Sequence, residues 1–458
     1  MMKMRKKLTT LFTLAAGLTG LAGLLAAGSC SAQEAPITIK SAVTRALENN
    51  YSLKADSMSL QITASQARTA KADLLPQVNY SNKAEYNPAI PSQMLPGSIA
   101  GQPGKDYVPV QFGTRYALSN GIDVTQSLVK KSTRLQVGVA ELNTGIARTR
   151  HRLSKEELVY QVAISFYTLQ TSAEMIRTTD HDYRNLEKIL AASKAQYEQG
   201  ALKKIDYQSL EINVRNKLSY LQQLQSQYAE QLAGFNYLLG IPAGSLTVID
   251  ENRSRSTDSI AAGNLLTQRE DLHLSRQLIE SKELEIKSIK AESLPSLNSW
   301  FRFGYQAQLG SLDKTFNNDY WFKSATVGIS TTIPIFDGFR RKSRVNTATI
   351  QLQQLKLQHE DKKQLAQMEW IRENEKLNNN KMQYMINRQN LDMAEKVFAS
   401  RMALYTEGIT SLIELLDAEK DLTQARDLYT QSEINVLTGI TGVHKAKGTL
   451  LTEFMQSL

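Results

Sequence analysis

Glu414 and Asp417, three residues apart, are the pair in this 458-residue chain whose type and spacing could do chemistry. Residues three apart share one face of a helix. Two roles fit that spacing. Acidic residues in a first helical turn complement the partial positive charge of the helix N-terminus, which requires no further function. Repeated around a symmetry axis, the same residues would form a ring of carboxylates at a pore mouth and attract cations. Catalytic arrangements are missing: the chain contains no G-x-S-x-G, no phosphate-binding glycine loop and no H-E-x-x-H. The five histidines, His151, His181, His273, His359 and His444, stand singly on helical stretches without metal-ligand spacing, as surface residues would. Cys30 is the only cysteine, which leaves no internal disulfide and no thiolate cluster. The chain thus carries no enzyme signature and calls for no cofactor.

The elements that would position the pair follow from a repeat, which is to be sought before any other pattern. Ala70–Asn79 (AKADLLPQVN) returns as Ile289–Asn298 (IKAESLPSLN), 219 residues on, and Tyr197–Gly200 returns as Tyr405–Gly408, 208 residues on. The unequal offsets place one insertion or deletion between Asn79 and Tyr197; the Pro- and Gly-rich stretch Pro88–Pro109, read here as a loop and longer than its partner near Gly310–Asn318, is the place that fits best. Each half, residues 33–248 and 249–458, has one order: helical run, proline, alternating segment, loop, alternating segment, long helical run. Each Tyr-x-x-Gly breaks a helix, since glycine accepts the left-handed conformation that stops it. Each half therefore ends in a helical hairpin, with tips near 197–204 and 405–411. Asp206 stands in the first half where Glu414 stands in the second, and Ser209 where Asp417 stands.

No proline falls between Lys131 and Glu198 or between Phe339 and Glu407, and both runs are rich in Leu, Ala, Gln, Glu and Lys, all good helix formers. A run of about 65 residues spans on the order of 100 Å. Such a rod suits narrow, coiled-coil-like seams better than a thick core. Four shorter segments, near 77–87, 113–128, 297–309 and 322–335, alternate apolar with polar residues, the pattern of membrane β-strands. Phe301, Phe303, Tyr305, Ala307 and Leu309 alternate with Arg302, Gly304, Gln306 and Gln308. Tyr80, Tyr86, Tyr107, Phe112, Tyr116, Trp300, Tyr320, Trp321 and Phe322 cluster around these segments, as interfacial belts do. Four strands cannot close a barrel with a lumen, and hydrocarbon does not tolerate open edges. The chain is therefore expected to supply part of a barrel and to complete it by symmetric association. A soluble sheet with one wet face, or a structural coiled-coil cell-envelope protein without a pore, is the alternative.

The N-terminus reads as an export signal over residues 1–32: a basic stretch, an apolar run from Leu8 to Ala27, then small and polar residues. Cleavage after Ala32 fits, and so does lipoprotein processing that leaves Cys30 as an acylated first residue; a retained anchor is a third reading. No later stretch approaches the ~18 apolar residues of a membrane helix. Formal charge is +9, of which Lys3, Arg5, Lys6 and Lys7 supply four. The remainder is spread over mixed-sign helices without a basic, aromatic-interleaved stripe, which argues against nucleic acid as a partner.

Ala46-Leu47-Glu48-Asn49-Asn50-Tyr51-Ser52-Leu53, the helices ahead of Pro76 and Pro295, Ile333-Pro334-Ile335-Phe336-Asp337-Gly338, the two Tyr-x-x-Gly tips and Leu415-Leu416-Asp417-Ala418 stand in a distinctive order. In that order and double occurrence the chain resembles the outer-membrane efflux protein family, the TolC-like channel tunnels, from about Ile37 to Phe454. The resemblance implies a mixed α/β membrane protein in the outer membrane of a Gram-negative bacterium. A homotrimer would close a transmembrane β-barrel from four strands per chain, continued through the periplasm by an all-α coiled-coil helical barrel. It implies a conduit of a tripartite efflux or type I secretion system, engaged by a periplasmic membrane-fusion adaptor and an inner-membrane RND or ABC pump. By the same mapping Gly200, Ala201 and Leu202, with Gly408, Ile409 and Thr410, are adaptor contacts. Glu414 and Asp417 become the acidic ring of the periplasmic entrance, and Tyr405 fits a gating tyrosine. The chain departs from the family where Tyr51 and Glu270 replace a frequent proline. It departs again where Thr410 replaces a basic gating residue, a role that would fall to Lys203 or Lys204.

Overall fold

The computed structural model describes residues 36–242, 244–245, 247–250 and 269–456. The export segment, including Cys30, lies outside them. Helices α1 (Ile39–Asn49) and α2 (Tyr51–Ala72) lead to strands β1 (Gln77–Tyr86), β2 (Ser92–Pro96), β3 (Tyr107–Gln111) and β4 (Tyr116–Val129). Helices α3 (Lys131–Glu198), α4 (Lys204–Leu239) and α5 (Glu270–Ala291) follow. Strands β5 (Ser296–Leu309) and β6 (Trp321–Thr332) then precede α6 (Arg340–Thr406), α7 (Leu412–Lys447) and the short α8 (Leu450–Gln456). Paired elements have near-equal lengths: α2 and α5 have 22 residues each, α3 and α6 have 68 and 67, and α4 and α7 have 36 each.

β1, β4, β5 and β6 form one antiparallel sheet in that order. Side chains opposite one another across a ladder share a face. The register sets Val78, Val124, Phe301 and Val327 in one row, and Tyr80, Ile122, Phe303 and Ala325 in the next. A third row of this face, Asn82, Asn120, Tyr305 and Lys323, is polar. The reverse face carries Asn79, Asp123, Arg302 and Thr326, then Ser81, Gly121, Gly304 and Ser324. Val78 is 65 % exposed and Val327 80 %, so nothing among the described residues covers the apolar face. Gly121 and Gly304 face each other at close quarters: a Cβ on Gly304 would lie 2.2 Å from the Asn120 carbonyl oxygen.

The helices form an open layer. α2 and α4 both pack along α3; α3 packs against α5 and α7, and those two against α6. Asn50 welds α2 to α4. Its side chain accepts from the Leu53 amide at 3.0 Å, capping α2, and donates to the Leu238 carbonyl at 3.0 Å near the end of α4. Gly240, at φ 68°, ends α4 against Asn49, where a Cβ would approach the Asn49 carbonyl to 2.5 Å. The main apolar core lies at this waist, where Val43, Val159, Val162, Phe166, Leu169, Phe235, Leu239 and Leu450 are buried together. Above and below it the long helices meet along thin seams, as their low apolar content dictates.

Four expectations change. The Pro88–Pro109 stretch is not a bare loop: β2 and β3 pair within it, Met94 opposite Pro109 and Pro96 opposite Tyr107. A two-stranded ribbon has only edge strands, where a missing donor is tolerated. β6 stops at Thr332, because Pro334 has no amide for the ladder and Ile333–Phe336 runs exposed towards α6. The first helical run breaks at Asn50. Finally, His359 is buried between α5 and α6, its Nδ1 2.6 Å from the Ser275 hydroxyl, so not all five histidines are surface residues.

Candidate functional site at the hairpin tips

Each long helix ends in the same turn. Gly200 and Gly408 both sit at φ 73°. The Gly200 amide donates to Tyr197 O at 2.9 Å and the Ala201 amide to Gln196 O at 2.8 Å. The Gly408 amide donates to Tyr405 O at 3.0 Å and the Ile409 amide to Leu404 O at 2.8 Å. This pair of bonds satisfies carbonyls that a stopped helix leaves open. No atom lies within 4 Å of a Cβ built on either glycine, so backbone conformation alone requires them. Ser411 then caps α7 by accepting from the Glu414 amide.

The tips expose apolar surface. Gly200, Ala201, Gly408 and Ile409 are exposed, Leu202 and Thr410 half-buried. Ile205, Ile409 and Ile413 also face solvent. Behind the tips, Leu186, Leu210, Val214, Leu412 and Leu415 form a small core that joins the two hairpins, and Tyr405 packs against it. Tyr197 stacks on Tyr207, centroids 5.4 Å apart.

Leu412, Leu415, Ala418 and Leu422 bury one stripe of α7. Glu414 lies on the flank of that stripe and Asp417 on the opposite side of the helix, and both are exposed. They share a face but not a state. Glu414 accepts from the Thr410 hydroxyl at 2.7 Å and from the guanidinium of Arg401, whereas Asp417 has no ionic partner among the described residues. Arg401 also reaches the Thr410 hydroxyl at 3.4 Å. The basic group beside Thr410 and Glu414 is thus Arg401 on α6. Lys203 and Lys204 stand exposed at the start of α4, in no ion pair among the described residues. The sequence reading missed Arg401 because its partner lies across the turn. The available signal was its placement seven residues before Gly408, with Glu414 six after it.

About two to four turns above the tips, buried and half-buried polar contacts tie the hairpins together. Lys217 on α4 bonds Glu419 at 2.7 Å, with side chains 9 % and 13 % exposed, and the Thr423 hydroxyl at 2.8 Å. The Tyr220 hydroxyl donates to Asp427 at 3.1 Å, and Arg426 meets Asp182 on α3 at 2.5 Å. Burial raises the Asp427 carboxyl above its ordinary range. Burial and the Asp427 charge push the Tyr220 phenol up to about 12.

Nearer the waist, Arg269 reaches Asp271 at 2.8 Å, Glu369 on α6 at 2.9 Å and the Ala446 carbonyl on α7 at 3.2 Å. Glu156 on α3 lies buried nearby, its Oε1 without a hydrogen-bond partner. Burial, with Asp271 and Glu270 adding like charge, raises its carboxyl to about 7 despite Arg269 and Lys445. Among the described residues no group of three or more His, Cys, Asp or Glu is placed to hold a metal ion.

These features can be set beside known proteins. A family model described as outer membrane efflux protein matches residues 42–240 and 261–448. The chain is similar to the cation efflux system protein CusC of Escherichia coli K12, 22% identical over 419 residues, covering 88% of this chain and 86% of that one. It is 21% identical over 423 residues to the toluene efflux pump outer membrane protein TtgC of Pseudomonas putida, covering 89% and 82%. In fold it is similar to a crystal structure of CusC, TM-score 0.71 at 20% identity over 90% of this chain and 92% of that one. It is likewise similar to VceC of Vibrio cholerae, TM-score 0.72 at 15% identity over 90% and 96%. The chain belongs to the outer membrane efflux protein family, and its place is the outer membrane of a Gram-negative bacterium.

Proposed function

We propose that the chain is one subunit of a homotrimeric channel, the outer-membrane part of a tripartite efflux or type I secretion system. It acts as a passive conduit, opened when a periplasmic adaptor and an inner-membrane pump engage it. One observation carries this reading: the subunit is open on two unlike flanks. β1, α2 and α4 edge one side, β6 and α6 the other. On α6, Ile350, Leu357, Met368, Met382 and Met393 are all more than half exposed. At 100° per residue they fall within about 40° of one another, an apolar seam on the order of 65 Å long. On the opposite flank Met58 and Ile62 of α2, with Ile205 and Ile212 of α4, are exposed. Unlike complementary edges make a head-to-tail contact, which closes into a ring when the rotation allows. Ring closure would pair β1 with β6 of the neighbouring copy and cover both seams. Two repeats per subunit, residues 33–248 and 249–458, would give the ring an approximate sixfold wall.

In such a ring the apolar sheet face meets lipid and the face with Asp123 and Arg302 lines water. The hairpin tips then lie at the far end, where Gly200, Ala201, Leu202, Gly408, Ile409 and Thr410 would meet the adaptor. Glu414 and Asp417 would draw cations to the entrance, with Tyr405 and Arg401 holding it. CusC is named as a cation efflux protein, and an acidic entrance suits that cargo class. A coiled-coil rod without a pore would have no use for an exposed apolar sheet face. The test is the mature protein in detergent and in planar bilayers. A trimer mass with stepwise conductance is expected; a monomer that never conducts would overturn the reading. Adaptor engagement is tested by crosslinking through Leu202→Cys or Ile409→Cys, which should capture the adaptor.

A further inference from the structure

We propose that the polar face of the sheet carries a seat for planar organic cations, built on Trp300. The inference rests on the channel reading, which makes that face the lumen wall. A cavity of about 520 Å³ opens where α2 meets the sheet, lined by Asp73, Gln77, Thr125, Asn298, Trp300 and Arg302 among others. Trp300 stands opposite Gly328 in the ladder. A Cβ on Gly328 would lie 2.6 Å from the indole Cζ2, so the ring rests on bare backbone and needs glycine beneath it. Rows of Ser81, Gly121, Gly304 and Ser324 beyond it leave the wall flat. The indole, the Arg302 side chain and Gln77, in the same row as Trp300, are therefore the large groups on this part of the face.

The charges favour a cation. Arg302 lies 5.8 Å from the Trp300 ring centroid, at the outer limit of a cation–π contact. It is drawn there by Asp123, which bonds its Nε and also accepts from the Ser81 hydroxyl at 2.9 Å. That pair neutralises itself. Asp73, at the C-terminal end of α2, has no ionic partner among the described residues, and the helix end adds partial negative charge beside it. A flat aromatic cation could stack its ring on the indole while its charge faces Asp73. Gln77 already donates to the Ala72 carbonyl at 3.1 Å, which holds this rim of the cavity in place.

The test uses the full-length protein in detergent with ethidium as the probe. The chain has three tryptophans, so Trp321→Phe with Trp370→Phe leaves Trp300 as the sole indole. Ethidium should quench its emission saturably. Asp73→Asn, or the uncharged ring phenanthridine in place of ethidium, should weaken binding about tenfold. Ethidium anisotropy on the Asp73→Asn protein with all tryptophans retained repeats the comparison without the other substitutions. Quenching that rises linearly without saturation, or equal affinities for Asp73→Asn and the parent, would overturn the seat. Conductance of the same preparation separates the two readings. A conducting channel with unsaturable quenching removes the seat alone, and saturable quenching without conductance removes the channel.

Discussion

Arg401 and Glu414 face each other across the second hairpin tip, guanidinium to carboxylate, with the Thr410 hydroxyl bonded to both. One of the two acidic residues at the proposed entrance is therefore part-neutralised within its own hairpin. Asp417 is not.

That asymmetry gives opposite effects. Arg401→Ala frees the Glu414 charge and should strengthen block by a multivalent cation in bilayer recordings. Glu414→Ala with Asp417→Ala should weaken it. The Arg401–Glu414 pair is roughly half exposed, so its loss should shift stability by no more than about 1 kcal/mol. Unchanged block in both variants would dismiss a pore-lining role for the pair.

Lys217 and Glu419 answer differently because they are buried. Removing one partner leaves an uncompensated charge, at a cost of about 3–5 kcal/mol for a fully buried pair. Lys217→Met should therefore lower the melting temperature markedly. Lys217→Met with Glu419→Leu should recover most of the loss. A double variant no better than the single one would show that the contact does not act as a pair.

Glu156 predicts a pH dependence. Its folded value, about 7 against 4.5 for the free group, is raised, so the folded protein binds the proton more tightly. The associated stability is fully present below about pH 4.5 and is lost as pH rises towards about 7, by at most about 3 kcal/mol. Thermal melts between pH 5 and 8 should show a smaller decline with rising pH for Glu156→Gln than for the parent. Equal slopes would show that Glu156 does not titrate in that window.

Gly408 tests the tip. Its φ of 73° costs an ordinary residue about 1–2 kcal/mol. Gly408→Val should loosen the turn and speed protease clipping near Ile409, while Gly408→Asn, which tolerates the left-handed region, should clip more slowly than valine. Identical rates would remove the backbone argument.

Much of the fold was legible because its signals are local. The proline-free run Lys131–Glu198 is one helix, the two Tyr-x-x-Gly turns stop where glycine must, and period two in Phe301–Leu309 alternates across the sheet as written. Those features depend on a residue and its near neighbours. The β2–β3 ribbon stayed hidden because Pro96 and Pro109 read as breakers until pairing showed them on edge strands. The break at Asn50 stayed hidden because the carbonyl that its side chain bonds belongs to Leu238, 188 residues away. Arg401 needed the turn to close before Glu414 came within reach, and Lys217, Glu156 and His359 needed neighbouring helices to bury them. Sequence by itself determined the long helices, the four strands of the main sheet and the two tip turns, since backbone geometry and hydrophobic period act over a few residues. Only the tertiary structure decided which charges are paired, buried or free, because that depends on groups the chain brings together from far apart.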